Sequence, residues 1–164
     1  IVTSTLGKSL GGAAGGFTSG RAEIVELLRQ RSRPYLFSNA LPPVIAAAAL
    51  QAVMLVARGD DLRAQLRDNA AFFRAQLTAL GFRLVPGNHP IIPVMLGDAT
   101  LATRMAERLL QEGIYVVGFS FPVVPKGQAR IRVQMSAAHT RAQLEQAVSA
   151  FAKVGRELEI IEAG

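Results

Sequence analysis

The stretch Ile1-Val2-Thr3-Ser4-Thr5-Leu6-Gly7-Lys8-Ser9-Leu10-Gly11-Gly12-Ala13-Ala14-Gly15-Gly16 decides how this chain is read. A β-branched run ends in a small turn, presents one lysine and enters a glycine-rich loop. Glycines let backbone approach a bound group closely, and successive N–H groups can face an anion such as a phosphate. A lysine amine is a nucleophile once deprotonated, and it forms Schiff bases with carbonyl compounds. Thr5 lies three residues before Lys8 and offers a hydroxyl to the same anion. Lys8 is therefore the candidate for covalent chemistry. A solvated lysine in a flexible loop has the same composition, and spacing alone does not separate the two.

Two rival phosphate motifs fail. Gly7-Lys8-Ser9 resembles the end of a nucleotide-binding P-loop, but that motif needs a glycine five positions before Gly7, and Val2 stands there. The dinucleotide pattern Gly-x-Gly-x-x-Gly is absent between residues 7 and 20, where no two glycines stand with one residue between them.

Composition narrows the chemistry further. A length of 164 residues suits one ordinary domain, or a small domain plus a piece of another. With 50% hydrophobic and 18% charged residues the chain can bury a core and is not disordered. It has no cysteine, which excludes thiol catalysis, disulfides and thiolate metal sites. His89 and His139 are its only histidines and lie far apart, so no metal site is expected. The net charge of +6 invites a polyanionic partner, but aromatics are only 6% and do not interleave with the basic residues. A small anionic substrate or cofactor therefore fits better than nucleic acid. No apolar run is long and charge-free enough to span a membrane, and no signal peptide is visible, so a soluble cytoplasmic protein is expected. The chain opens without methionine inside a predicted strand. A fragment, or a processed or truncated chain, is expected, with the remaining walls of the lysine pocket coming from elsewhere.

Outward from the lysine loop, residues 1–5 read as a strand and Phe17-Thr18 as a short strand returning from the loop. Residues 21–31 carry Ile24, Val25, Leu27 and Leu28 at helical spacing, and Ser32-Arg33-Pro34 ends that helix. Residues 35–41 read as extended or loop. Pro42-Pro43 opens a helix to about Ala57, apolar nearly all round and so expected to be buried between domains or subunits. The break at Arg58-Gly59-Asp60 marks the domain boundary, with domains 1–58 and 59–164. Asp60 caps a helix to Leu80 with Leu62, Leu66, Ala70, Phe73 and Leu77 on one face, and Gly81 stops it. Strands follow at 82–85, 91–96, 114–117 and 129–135. Between them runs a helix at 98–112, with Leu101, Met105, Leu109 and Leu110 inward. Thr140 caps a last helix to about Ile161. The second part is thus an α+β domain with helices on one face of a small sheet.

A second constellation lies at residues 122–140. Arg130 and Arg132 share one face of the last strand, and one such arginine makes a bidentate clamp for a carboxylate. A solvated strand face pairing with acidic neighbours is the other reading. His139, with no visible acid partner, reads as structural, and His89 before Pro90 as a loop residue.

Together these segments resemble a family. Thr5-Leu6-Gly7-Lys8-Ser9-Leu10-Gly11-Gly12 resembles the lysine motif of the α-oxoamine synthases, which use pyridoxal 5'-phosphate (PLP). Arg33-Pro34-Tyr35-Leu36-Phe37-Ser38-Asn39-Ala40-Leu41 and the stretch 122–140 look like further segments of that family. Residues 36–39 and 134–140 look most like the members that condense glycine with acetyl-CoA to 2-amino-3-ketobutyrate and CoA, and that cleave it in threonine catabolism. The resemblance implies a fold-type I PLP-transferase, an α/β fold, working as a homodimer with shared active sites. This chain resembles its C-terminal part: the end of the large cofactor domain with a linking helix, then the small domain. By the same resemblance Lys8 holds PLP as a Schiff base and serves as base and acid. Thr5 binds the cofactor phosphate, Ser38 or Asn39 reaches the phosphate of the partner subunit, and Arg132 clamps the amino-acid carboxylate. The acid for the pyridine nitrogen and the residue stacked on the ring belong to the upstream part, so the fragment alone is expected to hold PLP weakly and not to turn over.

Other readings remain open. One is another α-oxoamine synthase, with a longer amino acid or acyl donor. Another is a non-catalytic module kept for dimer assembly. The least supported is a nucleic-acid binder resting on charge alone.

Overall fold

The computed structural model describes residues 1–11 and 14–162. Gly12 of the lysine motif, Ala13 of the glycine-rich loop and residues 163–164 lie outside the described residues. The chain divides into two compact units, residues 1–60 and 61–164.

Unit 1 begins with a hairpin. Strand β1 (Val2–Thr5) pairs antiparallel with β2 (Gly16–Ser19), in a register running from Val2 opposite Ser19 to Thr5 opposite Gly16. Helix α1 (Ala22–Arg31) follows and ends at Ser32, whose ψ of 108° breaks the helical path. The segment after it departs from the expected extended chain: Arg33–Leu36 forms one helical turn, α2. Pro34 suits this first turn, where its missing N–H costs nothing.

Helix α3 (Pro43–Arg58) starts on Pro43, as the sequence indicated. Its burial differs from expectation: only Ala49 is buried, whereas Val44 and Leu55 are 72% and 70% exposed. An all-round apolar sequence says that a helix needs cover on every side. The cover itself is a property of neighbours, and none of the described residues supplies it over most of this helix.

Unit 2 is built on an antiparallel sheet in the order β3 (Ile91–Gly97), β5 (Ala129–Gln134), β4 (Val117–Phe119). Alternation along β5 sends Ile131 and Val133 inward, with Met135 just beyond the strand, and all three are buried. Helices α4 (Asp60–Ala79), α5 (Ala99–Gln111) and α6 (Arg141–Glu157) bring Phe73, Leu77, Met105, Leu109, Leu144 and Phe151 into the same core. Phe151 meets Phe73 and Phe82 edge-on, with centroids 5.7 and 5.9 Å apart. Gly155 on α6 leaves room for this cluster, since a Cβ there would stand 2.6 Å from Cζ of Phe82.

Two helix starts carry side-chain caps, whereas α4 begins at Asp60 itself, which the sequence assigned as its cap, and α6 ends at Glu157, short of the expected Ile161. The Asp98 side chain accepts from Leu101 N–H at 2.8 Å, and Thr140 with Gln143 forms a reciprocal capping box. Gly81 and Gly113 stop α4 and α5 at φ of +94° and +80°. Two residues assigned inward are not: Leu62 is 62% exposed and Leu110 58%.

Two predicted strands change. Residues 82–85 make only the bridge of Leu84 to Val94. Val85 N–H donates to Pro93 O, but Pro93 has no N–H to return, so the ladder cannot close there. Arg74 supplies the missing donor, with Nη1 2.9 Å from Val85 O and Nη2 3.0 Å from His89 O. The strand expected at 114–117 begins at Val117, because Ile114 N–H is used to close α5 on Leu109 O.

An exposed ion pair staples α5 to α6. Arg108 Nε and Nη2 donate to the two carboxylate oxygens of Glu157, both at 2.7 Å. Those hydrogen bonds hold the Glu157 carboxyl below its usual range and the Arg108 guanidinium above its own. The pair's contribution is therefore complete above the ordinary carboxylate pKa and is lost as pH falls through the lowered value of Glu157. On the Arg108 side it is lost only in strong alkali. Thermal midpoints of the native chain and of Glu157→Gln should therefore converge on acidification. Parallel curves through the acid range would remove the staple from the stability of this unit.

Candidate functional site

In unit 1 the site is built on the β1–β2 connection. Leu6, the first residue after β1, is buried, and its N–H donates to Gly15 O at 3.0 Å, which closes the base of the loop. Lys8 stands exposed at the bend, and its amine makes no hydrogen bond or ion pair among the described residues. Gly11 N–H donates to Lys8 O at 2.9 Å and Gly11 adopts φ of +72°, turning the chain back. Thr5 Oγ1 is engaged locally: it donates to Gly15 O at 3.3 Å and accepts from Gly7 N–H at 3.2 Å. The threonine thus braces the loop that carries the lysine.

Ser38 and Asn39 lie exposed just after α2, and neither side chain makes a hydrogen bond among the described residues. Their segment reaches the lysine loop through Leu41. A Cβ on Gly15, whose φ is +88°, would stand 2.6 Å from Leu41 Cδ1. At that positive φ a side chain would be strained. Unit 1 therefore contains Thr5, Lys8, Ser38 and Asn39, and Arg132 belongs to unit 2.

PLP requires a primary amine for its aldehyde and donors for its phosphate. The donor set of unit 1 fits: a free amine at Lys8, hydroxyls at Thr5, Ser9 and Ser38, and an amide at Asn39. The N–H groups of Lys8, Ser9 and Leu10 also have no backbone partner among the described residues. Three successive N–H groups without a backbone partner are available to an anion.

The structure separates the two arginines of β5, which their spacing does not. Arg130 is tied back to its own strand entry, donating to Gln128 O at 3.0 Å and to Gln128 Oε1 at 3.3 Å. The Arg132 side chain makes no hydrogen bond or ion pair among the described residues. Its guanidinium lies over the Phe119 ring, 4.3 Å from the centroid. The register sets Pro93 and Val117 directly opposite Arg132, and Ile91 and Met95 opposite Gln134 and Arg130. Those neighbours share the outward face of the sheet, and none is acidic. A cation without a counter-charge on a mostly apolar face can take a carboxylate. Arg132 and Phe119 are also among the residues lining a pocket of about 550 Å³, with Phe73, Met135, Leu144 and Phe151.

Sequence reading missed Asn69. It is 7% exposed on α4, and its Nδ2 donates to Ser136 O and His139 O, both at 3.0 Å. One buried amide thus fastens the loop that follows β5. His139 completes the fastening, its Nδ1 accepting from Ser136 N–H at 3.3 Å, which agrees with a structural role. The available signal was a polar residue on the otherwise apolar face of α4. Among the described residues no group of acidic and histidine side chains could hold a metal, and no single helix is long and apolar enough to cross a membrane.

Comparison with known proteins places the chain in a family. The model of the family "Aminotransferase class I and II" matches residues 1–151. The chain is 58% identical over 161 residues to 2-amino-3-ketobutyrate coenzyme A ligase of Escherichia coli K12, spanning 98% of this chain and 40% of that protein. It is 42% identical over 161 residues to 8-amino-7-oxononanoate synthase of Thermoanaerobacter pseudethanolicus, again 98% of this chain and 40% of the relative. In structure it is similar to serine palmitoyltransferase of Sphingomonas wittichii, with a TM-score of 0.88 and 31% identity over 98% of this chain and 40% of that one. The chain thus spans about 40% of the length of the relatives it matches. Its fold is the C-terminal part of the fold-type I PLP-transferases, and the chain belongs to the class I and II aminotransferase family, in its α-oxoamine synthase branch.

Proposed function

We propose that the whole protein is a PLP-dependent glycine C-acetyltransferase, condensing glycine with acetyl-CoA to 2-amino-3-ketobutyrate and CoA and running in reverse in threonine catabolism. The observation that carries this reading is the free Lys8 amine, held on a glycine-turned loop beside uncommitted N–H groups. The higher identity to the 2-amino-3-ketobutyrate ligase than to the 8-amino-7-oxononanoate synthase, 58% against 42%, favours this reaction over a longer acyl donor. Residues 1–58 are the end of the large PLP-binding domain with its linking helix, and residues 59–164 are the small domain. The active enzyme is a cytoplasmic homodimer with shared active sites.

Each residue then has a task. Lys8 is the covalent anchor for PLP. Thr5 and the loop N–H groups hold the phosphate, for which Thr5 releases its long bond to Gly15 O. Ser38 or Asn39 reaches the phosphate in the partner subunit. Bound there, PLP supplies an electron sink for a carbanion at the glycine α-carbon. With the cofactor bound, the Lys8 amine would take the glycine α-proton and later return a proton. Arg132 grips the glycine carboxylate with two N–H donors and so fixes which Cα bond faces the base. The Cα–acyl bond forms as the thioester C–S bond breaks, and CoA leaves as the thiol.

The test is release of CoA from acetyl-CoA with glycine, set against alanine and pimeloyl donors, in the whole protein. Preference for glycine and acetyl-CoA is the expected result. Preference for alanine with a pimeloyl donor would replace this function with that of the other branch member. Arg132→Lys keeps the charge and loses the fork. It should raise KM for glycine about 10- to 100-fold, the value of a charge-assisted bidentate contact.

A further inference from the structure

We infer that Phe119 is a positioning residue for the carboxylate clamp: its ring holds the Arg132 guanidinium in the plane and direction in which it meets the amino-acid carboxylate. The inference rests on the reading of Arg132 given above and extends it to a residue of the neighbouring strand.

An exposed arginine side chain has many rotamers of similar energy, and a single well-placed fork requires something to select among them. Ion pairs are the usual selector, but Arg132 has none among the described residues. Its directly opposite neighbours, Pro93 and Val117, are apolar. Phe119 lies opposite Arg130, one diagonal step from Arg132 on the same face. The guanidinium carbon sits 4.3 Å from the centre of its ring. Stacking uses the face of the guanidinium and leaves its in-plane N–H donors free. A carboxylate partner in place of the ring would occupy those donors, so a ring is the neighbour that orients the fork without consuming it. Phe119 is itself half-buried, which restrains the ring. Arg130, two residues earlier, shows the contrast, because its guanidinium is spent on Gln128.

The consequence is specific to substrate binding. Loss of the ring leaves the charge of Arg132 in place but releases its orientation. Phe119→Leu should raise KM for glycine about fivefold, the value of one such stack, with kcat changed little. The dissociation constant of glycine, read by calorimetry on the PLP-loaded protein, should follow KM. Phe119→Tyr keeps the stack and should restore both, and Phe119→Met serves as a second ring-free variant should the leucine chain fail to fold. The deciding measurement is the double variant. If Phe119 acts through Arg132, Phe119→Leu should have no further effect on KM in the Arg132→Lys background. An effect of Phe119→Leu that persists there, or an unchanged KM in the single ring-free variants, would overturn the inference while leaving the clamp intact. An unchanged KM in Arg132→Lys alone would overturn the clamp, and this inference with it.

Discussion

Lys8→Ala in the whole protein is expected to lower turnover of glycine and acetyl-CoA by about three to four orders of magnitude, the scale of a lost acid–base group, with more lost if attachment of the cofactor fails as well. The fold should survive. Lys8 is exposed, its side chain makes no contact that holds the loop, and the loop is closed instead by Leu6 N–H on Gly15 O and by Thr5 Oγ1. The thermal midpoint should therefore match the native protein while the rate collapses. Turnover within tenfold of native would remove Lys8 from the chemistry.

The largest stability effect is expected at Phe151. It is fully buried and meets two other rings edge-on, so Phe151→Ala leaves a cavity as well as losing transfer energy. Such truncations cost about 3–5 kcal/mol. Domains have only about 5–15 kcal/mol in all, so the denaturant midpoint of the unit should fall steeply. Leu110→Ala is the matched control, because helical spacing placed Leu110 inward and the structure leaves it 58% exposed. Its cost should be within about 0.5 kcal/mol. A large loss at Leu110 would restore the sequence reading over the structural one.

Helix limits were legible because the signals are local: Asp98 and Thr140 carry hydroxyl or carboxylate caps, and Gly81 and Gly113 adopt positive φ where the helices stop. The inward face of β5 was legible from its alternation. Strand pairing was less so, since whether residues 82–85 form a ladder depends on Pro93, a residue of the other strand. Burial of α3 was misread for a related reason, because apolarity states a need for cover and not its presence. At the site, Lys8 stood out by its place in a glycine-rich loop, a setting that a solvated loop lysine shares. The distinction between Arg130 and Arg132 was not visible. It turns on Gln128 and on Phe119, and the latter reaches Arg132 only through cross-strand register. Asn69 was hidden for the same reason: its carbonyl partners, at Ser136 and His139, are far away in sequence.

The central claim is that Lys8 is the covalent anchor of PLP. Borohydride reduction of the PLP-loaded whole protein, followed by peptide mass mapping, tests it most directly. A single pyridoxyl group on the peptide that holds Lys8 is the predicted result. Labelling spread over surface lysines, with Lys8 unmodified, would contradict it.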